Sequence, residues 1–264
     1  MVDTHCHLNF KAFEKDYDEV IKKAKEAGVE TIINVGTSLQ SSQKAVELAH
    51  KYKNLYAIVG IHPHHADKLE KGWEEKLKAI AQNEKVVGIG EIGLDYYSYK
   101  SNGIVDPKIQ REVFKAQVQM AYDLKLPLQI HNRHAGEDIL EILNAHKNLL
   151  QEIPGMFHCF ASTLDVLKKA LSLGFYIGFD GNITYKGLAK GETVTLADLC
   201  RNTPIDRIVT ETDAPFLTPE PYRGGRNEPS YVIMTGRKIA QIKAISEQEV
   251  DLKTSQNAKK IFKL

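Results

Sequence analysis

The chain alternates short apolar runs with amphipathic stretches, and this alternation restricts its fold more than any other feature. Eight runs of strand length span residues 2–8, 31–36, 55–61, 86–94, 126–131, 155–160, 175–179 and 208–212. Apolar residues recur three and four positions apart in the stretches between them, as in 17–27, 41–52, 110–124, 136–146 and 164–171. Eight such units in 264 residues predict an α/β chain whose strands close into a (β/α)8 TIM barrel.

The barrel is expected to be a single domain covering residues 1–264. Two further helical patterns, at about 231–244 and 246–262, predict extra C-terminal helices, and no linker or repeat divides the chain. A dinucleotide-binding open sheet is disfavoured because no Gly-x-Gly-x-x-Gly follows the first strand.

Composition excludes several functional classes. No run of about 18 apolar residues could span a membrane, and the first residues resemble a polar strand rather than a leader, so we expect a cytoplasmic protein without a membrane partner. Three cysteines without a Cys-x-x-Cys spacing predict neither disulfides nor a thiolate zinc site. With 35 basic and 34 acidic residues, no global basic field holds nucleic acid, so any affinity for phosphate must be local.

Histidine and carboxylate residues fall at the ends of the predicted strands, where barrel enzymes assemble their active sites. His5 and His7 share one face because strand side chains alternate. The other members are His62 and His64 after strand three, Glu91 in strand four, His131 at the end of strand five, His158 in strand six and Asp213 after strand eight. These nitrogen and oxygen donors favour transition metals without excluding magnesium.

Four histidines (His5, His7, His131, His158) and two carboxylates exceed what one catalytic ion needs. They suggest two divalent ions, Mg, Mn or Zn, joined by a bridging carboxylate, for which Glu91 is the best candidate. The simpler alternative makes Glu91 a buried glutamate paired with a neighbouring base.

Several longer motifs resemble the TatD-type deoxyribonucleases, metal-dependent hydrolases among the amidohydrolase-like barrels, over nearly the whole chain. The strings are Asp3-Thr4-His5-Cys6-His7-Leu8, Gly60-Ile61-His62-Pro63-His64, Gly90-Glu91-Ile92-Gly93-Leu94-Asp95-Tyr96, His131-Asn132-Arg133, His158-Cys159-Phe160, Glu211-Thr212-Asp213-Ala214-Pro215-Phe216-Leu217 and the following 221–229. The resemblance implies that His5, His7 and Asp213 hold one ion, that His131 and His158 hold the other, and that Glu91 bridges. The chain departs from the family at His134, where an acidic residue is usual, and at Ala161-Ser162, where Ser-Gly is frequent. These departures concern substrate preference.

The leading functional prediction is a deoxyribonuclease, 3′–5′ exonuclease-like, that acts on single-stranded DNA or DNA ends and needs no obligate protein partner. Its catalytic residues would be Asp213 as general base, Glu91 and His62. Phosphate contacts are assigned to Arg133, Arg223, Arg226 and His64, although Arg223 and Arg226 could instead be solvated or pair with Glu228. Tyr96, Tyr97, Tyr99 and Phe216 are candidates for stacking on an unpaired base.

Two alternatives remain open on sequence. A metal-dependent amidohydrolase or esterase, such as a lactonase or an aminoacyl-tRNA deacylase, would use nearly the same ligands. Related amidohydrolases often carry a carboxylated bridging lysine at the end of strand four, and Glu91 at that position favours the nuclease. The complete ligand set argues against a catalytically silent binding module.

Overall fold

Eight parallel strands follow one another around the sheet in chain order, each hydrogen-bonded to the next. The computed structural model describes residues 1–100 and 103–264. The strands are β1 (Val2–Cys6), β2 (Thr31–Val35), β3 (Leu55–Val59), β4 (Val86–Asp95), β5 (Leu128–Arg133), β6 (Gly155–Phe157), β7 (Tyr176–Phe179) and β8 (Ile208–Thr210). This is a (β/α)8 TIM barrel, as predicted. Parallel strands covered on both faces read as continuous apolar runs, and all ten residues of β4 are buried.

Helices cover the outside of the barrel. They are α1 (Tyr17–Glu26), α2 (Leu39–Lys51), α3 (Trp73–Ala81), α4 (Pro107–Leu124), α5 (Gly136–Ala145), α6 (Leu164–Ser172), α7 (Leu196–Asn202), α8 (Val232–Lys243) and α9 (Glu247–Phe262). The two predicted C-terminal helices are confirmed as α8 and α9. No helix in the described ranges is long and apolar enough to cross a bilayer.

The last helix closes the end of the barrel where the strands begin. Ile261 and Phe262 of α9 pack in one buried cluster with interior side chains that include Val2, Ile33 and Val209. Asn257 of α9 donates through Nδ2 to the backbone oxygen of Ile208 at 2.7 Å. The amino ends of the strands are therefore sealed, and the opposite mouth is left for a site.

The first and last strands meet through a few specific bonds. Cys6 forms a parallel bridge with Ala214, and the backbone nitrogens of His7 and Asp213 donate to Ala214 O (2.7 Å) and His5 O (2.9 Å). Thr210 adds a side-chain bond to Val2 O. The barrel closes at its upper rim next to the predicted metal ligands.

Seven of the eight predicted strand ends are wrong by one to three residues, and three of these lie next to predicted metal ligands. β1 ends at Cys6, β8 at Thr210 and β6 at Phe157, so His158 lies just beyond its strand and not within it. Cys159 explains the early end of β6, because its φ of 44° is left-handed and breaks the extended ladder. Helix α2 also begins earlier than expected, at Leu39, because Ser38 is the residue that caps it.

Candidate metal centre

The structure brings the six residues predicted as metal ligands together at the carboxyl ends of the strands. His5 and His7 project to the same side of β1, as the alternation required, and both are buried. Glu91, His131, His158 and Asp213 come from β4, β5 and the segments after β6 and β8. They form two clusters, His5, His7 and Asp213 in one and Glu91, His131 and His158 in the other, and the second carboxylate oxygen of Glu91 faces the first cluster.

The first cluster contains two imidazoles and two carboxylates. The Nε2 atoms of His5 and His7 lie 3.0 Å apart. Asp213 Oδ1 lies 3.5 Å from His5 Nε2 and 3.4 Å from His7 Nε2. Glu91 Oε2 lies 3.8 Å and 3.6 Å from the same two nitrogens. Four potential ligand atoms from three segments of the chain thus converge on one point.

The hydrogen bonds behind these imidazoles indicate which nitrogen is free to bind an ion. His7 Nδ1 lies 2.9 Å from Val35 O, which can only accept, so Nδ1 carries the hydrogen. His5 Nδ1 lies 2.8 Å from Gln129 Oε1, whose amide nitrogen donates to Thr4 O, so it also carries the hydrogen. Both Nε2 lone pairs therefore face each other, an arrangement that a cation between them would stabilise. The donor set fits a divalent metal ion.

The second cluster uses the other oxygen of Glu91. His131 Nδ1 lies 2.7 Å and His158 Nε2 2.8 Å from Glu91 Oε1, and these nitrogens are 3.2 Å apart. His131 Nε2 lies 3.1 Å from Asp95 Oδ2 and donates to it, so Nδ1 is the nitrogen that would bind an ion after losing its own proton. Glu91 presents one oxygen to each cluster, the arrangement of a bridging carboxylate.

Electrostatics favours the ligand forms of Glu91 and His5. Burial alone would raise the pKa of Glu91, but the imidazoles of His158 and His62 and a hydrogen bond to His131 hold it well below its ordinary range. Burial, assisted by His158 and His7, lowers the pKa of His5. An ionised carboxylate and a neutral imidazole are the forms that bind metals.

His62 and His64 lie beside the second cluster. His62 Nδ1 accepts from the backbone nitrogen of His64 at 3.1 Å, so His62 Nε2 carries the hydrogen and lies 3.4 Å from Glu91 Oε1. His64 Nε2 lies 3.1 Å from Asp95 Oδ2. His62 is thus positioned as a hydrogen-bond donor.

A cavity of about 830 Å³ opens above the two clusters. Arg133, Arg223 and His64, which the sequence assigned to substrate contact, are among the residues that line it. Arg133 donates to Tyr99 OH at 2.8 Å, and Arg223 lies over the Tyr185 ring at 3.9 Å from its centroid.

Arg226 does not reach the cavity. Its guanidinium binds both carboxylate oxygens of Asp16, at 3.0 and 2.6 Å, and Ala12 O at 2.7 Å. The predicted phosphate contact is therefore not available in this arrangement, and its partner is Asp16 and not Glu228. Of the predicted stacking residues, Tyr99 and Phe216 line the cavity, whereas Tyr96 bonds to Asp138 away from it.

Asp95 is the main site residue that sequence reasoning did not assign. It is fully buried, and Oδ2 accepts from His131 and, at 3.1 Å, from Tyr99 OH. Burial opposes ionisation, but the bonds to His131 and His64 hold the pKa of Asp95 well below its ordinary value. Asp95 therefore connects Arg133, through Tyr99, to a metal-ligand candidate. Its place four residues after Glu91, on the same face of the strand pattern, was the available signal.

A barrel with paired His and carboxylate clusters at the carboxyl ends of its strands belongs to the class of metal-dependent hydrolases. The family of TatD related DNases matches residues 2–263. YabD of Bacillus subtilis, called an uncharacterized metal-dependent hydrolase, is 39% identical, with 100% of this chain and 99% of that protein covered. A Citrobacter rodentium protein named 3′-5′ ssDNA/RNA exonuclease TatD is 33% identical, with 99% and 97% covered. The crystal structure of the TatD homologue YjjV of Escherichia coli K12 superposes with a TM-score of 0.90 at 26% identity, covering 100% and 98%. The chain belongs to the TatD family.

Proposed function

We propose that this protein is a deoxyribonuclease that cleaves phosphodiester bonds in single-stranded DNA or at DNA ends, in the 3′–5′ direction of an exonuclease. The observation that carries the proposal is the pair of ligand clusters joined by Glu91 beneath a cavity lined by two arginines. The name of the Citrobacter rodentium relative points to the same substrate class.

Two divalent ions, Mg, Mn or Zn, would be held by the two clusters. His5, His7 and Asp213 would hold one, His131 and His158 the other, and Glu91 both. When bound, such ions lower the pKa of water and neutralise charge on a phosphodiester.

Asp213 is the proposed general base. Its backbone nitrogen is fixed to His5 O at 2.9 Å, and its side chain is exposed by 14%, so it reaches the cavity while most of the cluster is buried. A base must contact the proton that it accepts, and Asp213 combines that access with a fixed backbone.

His62 and Arg133 are proposed to bind the phosphate and the leaving oxygen. His62 Nε2 carries a hydrogen at the bottom of the cavity, and a neutral donor there can bind an oxygen that gains charge. Arg133 carries a positive charge and planar donors, with Arg223 and His64 as further phosphate contacts. Phe216, which is 50% exposed, and Tyr99 offer ring faces to an unpaired base.

The free thiols of Cys6, Cys159 and Cys200 support the cytoplasm as the compartment, because a reducing environment maintains them. No obligate protein partner is proposed.

A metal-reconstitution experiment tests the function. Protein stripped with a chelator and then given Mg, Mn or Zn should degrade end-labelled single-stranded DNA, and His158→Ala and Asp213→Ala should abolish this. His50→Ala is the matched control, because His50 is exposed on α2 outside both clusters. Circular single-stranded DNA, which lacks ends, should resist an exonuclease.

Cleavage of lactones, amides or aminoacyl esters with intact DNA would refute the proposal and favour the alternative hydrolase. Glu91 in place of a carboxylated lysine is the feature that favours the phosphodiesterase.

A further inference from the structure

A second groove adjoins the metal cavity on the side of β1 and α2. It has a volume of about 560 Å³, and Phe10 and Phe216 line both spaces. Asn9, Lys11, Ser41 and Lys44 also line it. The groove and the cavity therefore share a wall of two aromatic rings.

The aromatic wall stands directly against a metal-ligand candidate. The His7 ring stacks on Phe10 with 4.4 Å between centroids and 11° between planes. Phe10 contacts Phe216 edge to face at 6.1 Å. Since Phe216 is half exposed, a single-stranded nucleic acid leaving the cavity on this side would pass the Phe216 ring, on which a base can stack.

Beyond this wall the groove carries two cations. No carboxylate within the described ranges lies within 4.0 Å of Lys11 Nζ. Lys44 is half-buried beside the Tyr17 ring, and its Nζ lies 3.7 Å from the exposed Glu14, so the ion pair is weak and open to competition by a phosphate. Arg226, by contrast, is already occupied by Asp16.

Asn9 lies in the groove lining and is held by two hydrogen bonds. Asn9 is 4% exposed, and its Nδ2 donates to Val35 O and Ser41 O. Its Oδ1 finds no hydrogen-bond donor in the described part of the chain. That oxygen is shielded from solvent, so Asn9 shapes the groove lining through its two donated bonds and does not itself contact a ligand.

We infer that this groove is a second binding site, which holds the single-stranded DNA next to the nucleotide being cleaved. Lys11 and Lys44 would contact phosphates, and Phe216 would stack on the base between the groove and the metal centre. The inference rests on the proposed function and deepens it, because a small ester or lactone has no phosphate to place there. The preferred substrate is thus a chain of several nucleotides.

The test compares the Lys11→Ala/Lys44→Ala variant with a control of equal charge, Lys25→Ala/Lys168→Ala, whose lysines are exposed outside the groove. In 0.1 M salt, loss of two single-strand phosphate contacts should weaken binding of an octathymidylate by on the order of 20-fold and reduce the salt slope by about 1.4. The KM should rise to match, with kcat retained. Hydrolysis of bis(p-nitrophenyl) phosphate should not change.

Fluorescence anisotropy of the labelled oligonucleotide on chelator-treated protein separates the two proposals. Equal binding of the oligonucleotide by the variant and the control overturns the proposed groove site. So does a loss of activity on bis(p-nitrophenyl) phosphate as large as the loss on DNA. A binding difference without DNA cleavage by the wild type keeps the groove and overturns the nuclease.

Discussion

Replacing Asp95 with asparagine should weaken metal binding, although Asp95 lies in neither cluster that shares Glu91. The carboxylate oxygen Oδ2 receives the hydrogen of His131 Nε2 at 3.1 Å and of Tyr99 OH at 3.1 Å, with His64 Nε2 also at 3.1 Å. Asp95 Oδ1 accepts from the backbone nitrogen of Tyr97 at 2.9 Å. Both oxygens of Asp95 accept hydrogen bonds. An asparagine replaces one of them with an NH2 group, whose hydrogens would point at a donor, so it cannot accept all of these bonds.

The size of the effect follows from these bonds. A hydrogen bond to a charged group contributes about 1.5–3 kcal/mol and a neutral one about 0.5–1.5 kcal/mol, so the charge on Asp95 accounts for roughly 1–1.5 kcal/mol at His131. The mismatched amide raises the loss to as much as about 3 kcal/mol. Since 1.4 kcal/mol is a factor of ten, the metal dissociation constant should rise about 10- to 100-fold.

Competition of metal-free protein with a fluorescent zinc chelator measures this change without reference to activity. Asp138→Asn is the matched control, because Asp138 also accepts from a tyrosine, Tyr96, but lies outside the cavity and pairs with Arg111. A dissociation constant for Asp95→Asn within twofold of the wild type, with an unchanged circular dichroism spectrum, would refute the positioning role.

Two further predictions concern stability. In metal-free protein, burial lowers the pKa of His131, but hydrogen bonds to Asp95 and Glu91 outweigh it and raise the pKa to about 9. The folded value exceeds the unfolded value of about 6.5, so this stabilisation is complete below pH 6.5 and lost as the pH rises through 9. The urea midpoint of the metal-free protein should decrease as the pH rises through this window, and the midpoint of a His131→Gln variant should not show this decrease. An equal dependence of the midpoint on pH in the two proteins would contradict the assignment. Leu143→Ala, at a fully buried position of α5, should cost about 2–5 kcal/mol in urea unfolding and leave metal affinity unchanged.

Much of the fold could be predicted because burial imposes a regular spacing of apolar residues on the sequence. Fully buried parallel strands such as β4 appear as uninterrupted apolar runs, and the helices between them show a three-to-four spacing. The ends were less certain, since the left-handed backbone of Cys159, which stops β6, has no periodic signal.

The candidate site also had a part that could be predicted from neighbouring residues and a part that depended on tertiary contacts. His5 and His7 could be placed on one face because that depends only on neighbouring residues. The pairing of Arg226 with Asp16 joins positions 210 residues apart. Whether Arg226 is free to bind a phosphate therefore depends on how close the residue before α1 lies to the loop after β8, which is a tertiary contact. The role of Asp95 likewise needed the rotamers of His131 and Tyr99, which a sequence does not contain.

The meeting of β1 and β8 has a consequence for the order in which the protein matures on the ribosome. Asp213, which completes the cluster of His5 and His7, is translated about 200 residues after them. At ~5–20 residues per second, the histidine pair waits roughly 10 to 40 s for Asp213. The first cluster therefore stays incomplete while β2 to β8 are synthesised, and ion capture there follows the arrival of the last strand.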